Sequence, residues 1–533
     1  MRGRGVCPAI LLLAGVVLLA RGAGPAAADD FQTPAISFAT VDWRAALDEL
    51  RSEIAAAPTV APDFAFAGQR RGGAFDPRST PALVQLNAAT SPIFAGISRS
   101  PVPVLLPFDI AGYLDARRTG GPTSPLSHYQ SGFGAVDLFD AGPAGYDAVF
   151  SLAPDAAFGM PRRTFARPVE VQISGSLLTY DIADRTGGKG EPVRSLAAQY
   201  PDLRRFIREG YVRYAFTRFG VPYVASIQCL DSVPRPERLA CREAYPVAER
   251  FLKALRVAGG LPARPRPDIP AGIAERPWEP AGDFTYRAPG DILSGSRYHR
   301  QTGRVDLTAY SQIRFPLEAP AFAHSQSFRR RLSRDKTDQP NSTYPWRDNF
   351  CEARSFSVGQ CMTGFGHQGE DLRAGACAAR REGFDACDPR QQPVLAVRDG
   401  VVIRSQRQQA ATLQVNSRNE HIRFRYMHMS PSAMDADGIL NGRHVAEGEK
   451  IGVVSNFLDH PNGTSRHLHF DVQVFTRDGW IWVNPYVTLV SAYERLIRGR
   501  GLEIGPMIAT APAISRAIPE IASHPDIREG TEN

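Results

Sequence analysis

The sequence predicts an α+β protein of several domains, in which an N-terminal α+β domain precedes a C-terminal domain made mainly of antiparallel β-strands. The chain has 533 residues, which is too long for one ordinary core. Its 47 Gly and 43 Pro favour strands and loops over a helical bundle. The third observation is a stretch with six prolines over 261–280, which separates two regions of regular hydrophobic patterning.

These changes in composition predict six segments along the chain. They are a signal peptide over 1–28, an N-terminal helix and linker over 29–80, an α+β domain of unassigned role over 81–260, a proline-rich linker and connecting segment over 261–349, the strand-rich domain over 350–497 and a flexible tail over 498–533.

The N-terminus has the three parts of a secretory signal peptide. Arg2 and Arg4 form a basic start, residues 9–20 form a short apolar core, and three alanines over 26–28 supply a cleavage site. An uncleaved membrane anchor is the alternative, but an apolar core of this length is too short to span a bilayer. We therefore expect export, to the periplasm or by secretion, with no transmembrane span in the mature chain.

Charge and composition narrow the class of protein further. The sequence is 43% hydrophobic and 22% charged, which excludes a wholly disordered chain. Removal of the three signal-peptide arginines lowers the formal net charge from +7 to +4, which does not indicate nucleic-acid binding. The mild positive charge is compatible with an anionic polymer such as a cell wall.

Cleavage would also remove Cys7 and leave six cysteines in three close pairs. An exported protein meets an oxidising compartment, so we expect disulfide bonds, and the absence of CxxC spacing argues against a cysteine-rich zinc site. Six cysteines allow fifteen pairings, of which bonding between neighbours is the simplest. The neighbours are Cys229 and Cys241, Cys351 and Cys361, and Cys377 and Cys387.

Hydrophobic spacing in the N-terminal half predicts both helices and strands. Helices are predicted over 41–57, from Pro201 to Gly210, and from a first turn at Pro246 to Gly259. Strands are predicted over 102–108, 169–173, 176–180, 211–216 and 223–229. This domain shows no catalytic constellation, because its only histidine is His128.

The C-terminal domain is the most strand-like part of the sequence. A strand, an Asp399-Gly400 turn and a second strand are predicted over 394–403, and a hairpin turn is predicted at Asp478-Gly479. The further strands are predicted over 412–415, 422–429, 450–454, 467–475 and 480–483, with a helix over 487–497.

Seven of the eleven histidines fall between His367 and His469. Side chains alternate between the faces of a strand, so His467, His469 and Asp471 are predicted to share a polar face. The same alternation places His428 on the apolar face of its own strand, either as a core histidine or as a site residue.

The pattern of these histidines indicates a metal site. A catalytic zinc ion takes three protein ligands and leaves its fourth position to water. The candidates are His367 and Asp371, four residues apart in a glycine-rich turn, with one of His467 or His469. The histidines that do not bind the metal could then move protons and stabilise an oxyanion.

Together, these stretches resemble the lysostaphin/LytM-type zinc endopeptidases, which cut peptidoglycan cross-bridges. The resemblance covers about 364–490 and rests on five motifs that occur in the family order. They are His367-x-x-x-Asp371, Ala396-x-x-x-Gly400-x-Val402, Tyr426-x-His428, Gly448-x-x-Ile451-Gly452 and His467-x-His469.

The resemblance implies that residues 350–497 form a zinc metallopeptidase domain with one Zn²⁺ ion at the end of a groove. It implies that His367, Asp371 and His469 are the zinc ligands. It also implies that His428 and His467 are a catalytic pair that does not bind the metal. Peptidoglycan is the implied substrate.

We therefore expect an exported zinc endopeptidase that hydrolyses peptide bonds in peptidoglycan stem peptides or cross-links during cell-wall remodelling. Two alternatives remain open: a non-catalytic regulator of a cell-wall amidase, and a secreted protease of ordinary proteins. The N-terminal region would hold, gate or recruit the catalytic domain.

Overall fold

The computed structural model describes two folded domains. The described residues are 34–56, 81–118, 126–152, 169–182, 190–208, 211–229, 241–262, 309–318, 321–323, 348, 350, 367–374, 392–456, 459 and 466–497. The predicted signal peptide, most of the proline-rich linker, the four cysteines after residue 350 and the C-terminal tail lie outside them.

The described part of the N-terminal domain is built on a seven-stranded antiparallel sheet with helices beside it. Its strands are β1 Ile36–Phe38, β2 Val104–Leu106, β3 Phe133–Gly142, β4 Gly145–Leu152, β5 Glu170–Ser176, β6 Leu178–Tyr180, β7 Glu191–Pro192, β8 Arg204–Arg208, β9 Tyr211–Arg218, β10 Val221–Gln228 and β11 Arg256–Gly259. Its helices are α1 Trp43–Ala56, α2 Pro81–Thr90, α3 Ile110–Arg118 and α4 Ala244–Ala254. The sheet order is β3-β4-β5-β10-β9-β8-β7, while β1 pairs with β6 and β2 with β11.

One face of this sheet is covered by the helices, which close a hydrophobic core. Leu50 of α1 and Phe251 of α4 are fully buried in the same cluster as Tyr223 of β10. Helix α1 was predicted as a segment separate from 81–260, but its buried side chains belong to the core of that domain. A disulfide bond joins Cys229 to Cys241 between β10 and α4, as predicted for this pair of neighbours.

The helix predicted from Pro201 is wrong, because the chain forms strand β8 there. The prediction relied on Leu203, Phe206 and Ile207 at helical spacing. These side chains do not form one buried face: Leu203 is buried, whereas Ile207 is 47% exposed. Pairing with β9, in which Phe206 lies opposite Arg213, prevails over the helical spacing.

The described part of the C-terminal domain is mainly antiparallel β, as predicted. Its strands are β12 Ala321–Ala323, β13 Glu370–Ala374, β14 Pro393–Leu395, β15 Gly400–Ile403, β16 Ala411–Asn416, β17 His421–Met427, β18 His444–Val445, β19 Lys450–Val453, β20 Leu468–Thr476 and β21 Gly479–Val483. Its helices are α5 Pro431–Ala436 and α6 Tyr486–Ile497. The main sheet has the order β12-β13-β20-β17-β16-β15-β18, with β21 also paired to β20, and β14 pairs with β19.

Of the two turns predicted in this domain, one joins a hairpin and the other does not. The predicted hairpin at Asp478-Gly479 is present, since Thr476 of β20 pairs with Gly479 of β21. The turn at Asp399-Gly400 does not join a hairpin: β14 pairs with β19, and β15 pairs with β16 and β18. A strand–turn–strand pattern cannot distinguish a hairpin from two strands that enter different sheets.

Alternation along β20 builds the core of the C-terminal domain on one face of its sheet. Leu468, Phe470, Val472 and Val474 point into this core and are at most 1% exposed. Helix α6 and residues 309–318 pack into the same cluster. The segment over 309–318 therefore packs with the main sheet of the C-terminal domain, although it was predicted as a connecting segment.

The opposite face of this main sheet packs against the N-terminal sheet through a buried polar network. Asp147 of β4 accepts hydrogen bonds from Arg423 and Ser174 and pairs with His421 Nε2 at 2.8 Å. Trp480 of β21 donates its indole N–H to Ser174 and lies 4.0 Å from the Arg423 guanidinium. A buried carboxylate needs such partners, so this network holds the two domains in one arrangement.

A second contact between the domains uses one amide side chain. Asn416, at the end of β16, accepts a hydrogen bond from Ala144 N and donates one to Gly145 O, both at 2.9 Å. The side chain thereby pairs with one backbone N–H and one backbone C=O of the turn between β3 and β4. Among the described helices, none has the length and apolarity that a membrane crossing requires.

We predict that Glu170→Gln stabilises the protein above pH 7. Burial raises the pKa of Glu170 from 4.5 to about 7, and the Asn441 amide donates a hydrogen bond to it across the interface. Between those pH values the folded state binds more protons than the unfolded chain, so this carboxyl makes stability fall as pH rises. The full effect is up to about 3 kcal/mol.

Chemical denaturation at pH 4.5 and pH 7.5 measures this effect. Glu170→Gln should flatten the decrease in unfolding free energy between the two pH values, whereas Glu447→Gln, at an exposed position, should follow wild type. An unchanged pH dependence in Glu170→Gln would contradict the assignment.

Candidate metal centre

Three side chains of the described sheet converge on one point at the ends of β13 and β20. The antiparallel register places Asp371 directly opposite His469, and His367 precedes β13 by three residues. His367 Nε2 lies 2.8 Å from Asp371 Oδ1 and 2.9 Å from His469 Nδ1, and the latter two atoms are 3.0 Å apart. All three side chains are buried.

This donor set fits a zinc ion. Two imidazole nitrogens and one carboxylate oxygen form a triangle with nearly equal sides, and these are the ligand types of catalytic zinc sites. One proton cannot satisfy all three contacts at once, whereas a cation accepts a lone pair from each atom. The structure thus brings together the three predicted ligands His367, Asp371 and His469.

The two histidines predicted as a catalytic pair lie beside this triangle. His467 is 8% exposed, and its Nε2 is 3.6 Å from Asp371 Oδ1. The ring of His428 lies 4.7 Å from the ring of His467 and 6.1 Å from that of His469. All five predicted site residues therefore fall in one cluster.

The placement of His428 on the apolar face of its strand is wrong. Tyr426 follows the predicted alternation and points into the core, but the chain turns sharply at His428, whose φ is 61°. This left-handed conformation is uncommon for a residue other than glycine, and it directs the imidazole to the side of His467.

Neighbouring loops hold the strained backbone of His428. Its carbonyl accepts a hydrogen bond from Ser455 N at 2.7 Å, and the next residue, Met429, donates to Gln409 O at 3.1 Å. Met429 also forms an isolated bridge with Val454. Alternation cannot predict a turn that depends on contacts with two distant segments.

Burial and charge set the protonation of the site in the absence of a metal. Burial, together with His467 and His469, lowers the pKa of His428 well below its usual 6.5, so its imidazole is neutral near pH 7. Burial alone would lower the pKa of His469 as well. Hydrogen bonds with Asp371 and Asp471 outweigh burial there and raise that pKa.

Asp471 lies on the far side of His469, and the sequence did not reveal its contacts. Its Oδ2 is 3.3 Å from His469 Nε2 and accepts a 2.7 Å hydrogen bond from Arg425 Nε. Its Oδ1 accepts the Trp482 indole N–H at 3.1 Å. Burial alone would raise the pKa of Asp471, but Arg425 and His469 hold it below its usual range. Strand alternation put this carboxylate on the histidine face without indicating its partners.

Two of the motifs, and the tyrosine of a third, serve as framework rather than as chemistry. The Tyr426 hydroxyl accepts a hydrogen bond from Val397 N at 2.9 Å. Gly448 N donates to Ala396 O at 2.8 Å, with φ at 83° for this glycine. The alanine, tyrosine and glycine motifs are therefore tied together beside β17.

The remaining histidines near the site have other surroundings. His421 is fully buried in the contact with Asp147 of the N-terminal domain. His444 is exposed on β18. His460 lies outside the described residues.

Comparisons with known proteins show what the C-terminal domain is similar to. Residues 379–485 match the model of peptidase family M23, and this match includes His428, His467 and His469. A solved structure of a candidate glycyl-glycine endopeptidase LytM from Ruminococcus gnavus is 18% identical and covers 37% of this chain and 69% of its own, with a TM-score of 0.23. No curated protein matches the chain.

The family match confirms the LytM-type resemblance that the five motifs predicted. The match begins after His367 and Asp371, which β13 nevertheless brings to the histidines of the matched segment. The C-terminal domain of this chain thus contains a segment, residues 379–485, that is similar to peptidase family M23.

Proposed function

We propose that this protein is an exported, zinc-dependent endopeptidase that hydrolyses peptide bonds in peptidoglycan stem peptides or cross-links during cell-wall remodelling. The observation that carries the proposal is the convergence of three metal donors and two further histidines within an M23 peptidase domain. An inactive regulator of an amidase has no need for this complete set.

The metal would be held by His367 Nε2, Asp371 Oδ1 and His469 Nδ1. A zinc ion bound at such a site lowers the pKa of water and polarises a substrate carbonyl. The protein contributes three buried donors, of which Asp371 and His469 are held opposite each other by the pairing of β13 with β20. This preorganisation avoids the cost of arranging the ligands when the metal binds.

His428 and His467 would act on the substrate. The neutral imidazole of His428 can accept a proton from the attacking water and pass it to the leaving amine. His467 lies between His428 and Asp371, where an imidazole N–H can donate a hydrogen bond to the developing oxyanion. The strained turn at His428 fixes its ring before the substrate arrives.

Export is part of the proposal. The basic start, short apolar core and small-residue site of the first 28 residues match a signal peptide. The Cys229–Cys241 disulfide supports an oxidising compartment, which is the periplasm or the exterior. Peptidoglycan lies in that compartment.

We predict that His469→Ala and His467→Ala have different effects on zinc content. Wild type and His467→Ala should each retain about one zinc per chain, since His467 is not a ligand. His469→Ala should lose the metal, and both variants should lose activity. Atomic emission of purified protein measures the zinc content.

His444→Ala is the matched control, because this histidine is exposed on β18 of the same domain. It should keep both zinc and activity. Loss of zinc in His467→Ala would overturn the ligand assignment, and a folded wild type free of zinc would favour the regulator.

We predict that the wild-type protein releases peptide fragments from purified sacculi, while zinc-loaded His467→Ala does not. Mass spectrometry of the released muropeptides would identify the peptide bond that is cut. Casein serves as the comparison substrate, and it should remain intact. Cleavage of casein without release from sacculi would instead support a secreted protease of ordinary proteins.

We predict that Gly369→Ala weakens zinc binding without directly removing a ligand. An added Cβ would lie 2.3 Å from Phe470 O and 2.8 Å from Asp471 Cβ, so β13 would have to move away from β20 and displace Asp371 from His469. Competition with a chelator should detect at least about a tenfold loss of affinity.

Gly438→Ala controls for a general loss of stability. Gly438 has φ at 65°, so alanine there is strained by about 1 kcal/mol, but its Cβ would meet only Arg443 at 3.8 Å. This variant should unfold more readily and bind zinc like wild type. Equal zinc affinities for Gly369→Ala and wild type would contradict the close-approach explanation.

A further inference from the structure

The side chain behind His469 is a buried carboxylate with several donors around it. Asp471 is fully buried on β20 and shares the face of His469 because it lies two residues further along. Arg425 and Trp482 donate hydrogen bonds to it, and Gln368 Nε2 lies 3.4 Å from its Oδ2. Asp471 is therefore fixed from β17, from β21 and from the turn that carries His367.

This carboxylate faces the nitrogen of His469 that does not point at the metal donors. His469 Nδ1 belongs to the triangle with His367 and Asp371, whereas Nε2 lies 3.3 Å from Asp471 Oδ2. Among the described residues Nε2 makes no well-aligned hydrogen bond, and the Asp471 carboxylate is the acceptor that lies beside it. A proton kept on Nε2 leaves the lone pair on Nδ1 free for a metal.

The orientation of Asp471 depends in turn on Trp482, which the N-terminal domain contacts. The Arg213 guanidinium of β9 lies 4.6 Å from the Trp482 ring. The Arg425 guanidinium of β17 lies 5.5 Å from the same ring. Arg213 also donates a 2.6 Å hydrogen bond to Trp480 O on β21. Arg213 thus holds β21 in place. It thereby also positions the Trp482 indole, whose N–H donates a hydrogen bond to Asp471.

We propose that Asp471 is a positioning residue that fixes His469 for metal binding, and that Arg213 of the N-terminal domain supports it through Trp482. This inference rests on the proposed function only in taking His469 as a metal ligand. It makes the N-terminal domain a part of the metal site's support, because the contacts run without a gap from β9 through β21 to β20.

The test is zinc affinity in the full mature chain, measured by competition with a chromogenic chelator. Asp471→Asn should raise the zinc dissociation constant about 10–100-fold, and Asp471→Glu should recover part of the loss. Trp482→Phe, which removes only the indole N–H and some ring area, and Arg213→Gln should change it in the same direction by smaller factors. The visible spectrum of the cobalt-substituted variants should shift, because the ring of His469 is no longer held.

The matched controls are Asp478→Asn and Arg204→Gln. These residues form an exposed ion pair at 3.6 Å between the same two domains, with no contact to the metal donors. Both variants should bind zinc and cobalt like wild type. Thermal unfolding of every variant separates loss of fold from loss of ligand orientation, and Trp482→Phe keeps the test decisive if Asp471→Asn does not fold.

The outcomes distinguish this inference from the proposed function. A wild type that binds no zinc overturns both. If wild type binds zinc and Asp471→Asn and Trp482→Phe match it in affinity and cobalt spectrum, only the positioning role of Asp471 is overturned. A loss in Asp471→Asn without any effect of Arg213→Gln overturns the contribution of the N-terminal domain.

Discussion

The candidate metal centre depends on the register in which β20 pairs with β13 and β17. His469 lies opposite Asp371 on β13 and opposite Met427 on β17, one residue before His428. A slip of one residue would turn the histidines into the core and bring Leu468 and Phe470 to the polar face. The register is fixed on both faces of the sheet: the apolar side chains of β20 are buried on one, and Asp471 pairs with Arg425 on the other. The fold and the site are therefore specified by the same pairing.

Much of the site could be predicted from the sequence because its signals are local. Alternation along a strand places His467, His469 and Asp471 on one face without knowledge of the fold, and the order of the motifs identifies the family. The direction of His428 could not be predicted, since its positive φ is imposed by loops far along the chain. The strand at β8 was missed for a related reason: its pairing with β9 prevails over apolar residues that happen to have helical spacing. Contacts such as Arg425 with Asp471 need the register, which no single stretch encodes.

The N-terminal domain showed no catalytic pattern in its sequence. It contacts the main sheet of the C-terminal domain through buried polar groups as well as apolar side chains. Asp147 illustrates the constraint. Burial raises its pKa, but His421 and Arg423 outweigh that effect and lower it, so the carboxylate is charged when the domains are in contact. Separation of the domains would expose the apolar surfaces of Phe475 and Trp480 and leave Arg423 without its partner. Such a contact favours a permanent arrangement over a domain that docks and leaves.

The position of that contact limits how a substrate can lie. The polar face of the main C-terminal sheet carries the metal donors at one end. Arg425, Asp471 and Trp482 follow them, and the residues that contact the N-terminal domain come last. From Asp471 onward this face is closed by the protein itself, because Asp471 and Trp482 are at most 2% exposed. For the proposed endopeptidase, a polymeric substrate therefore cannot run along β17 and β20 past the metal donors. It would have to reach His428 and His467 from the end where β17 stops and β20 starts, so that recognition on one side of the cut bond would be short.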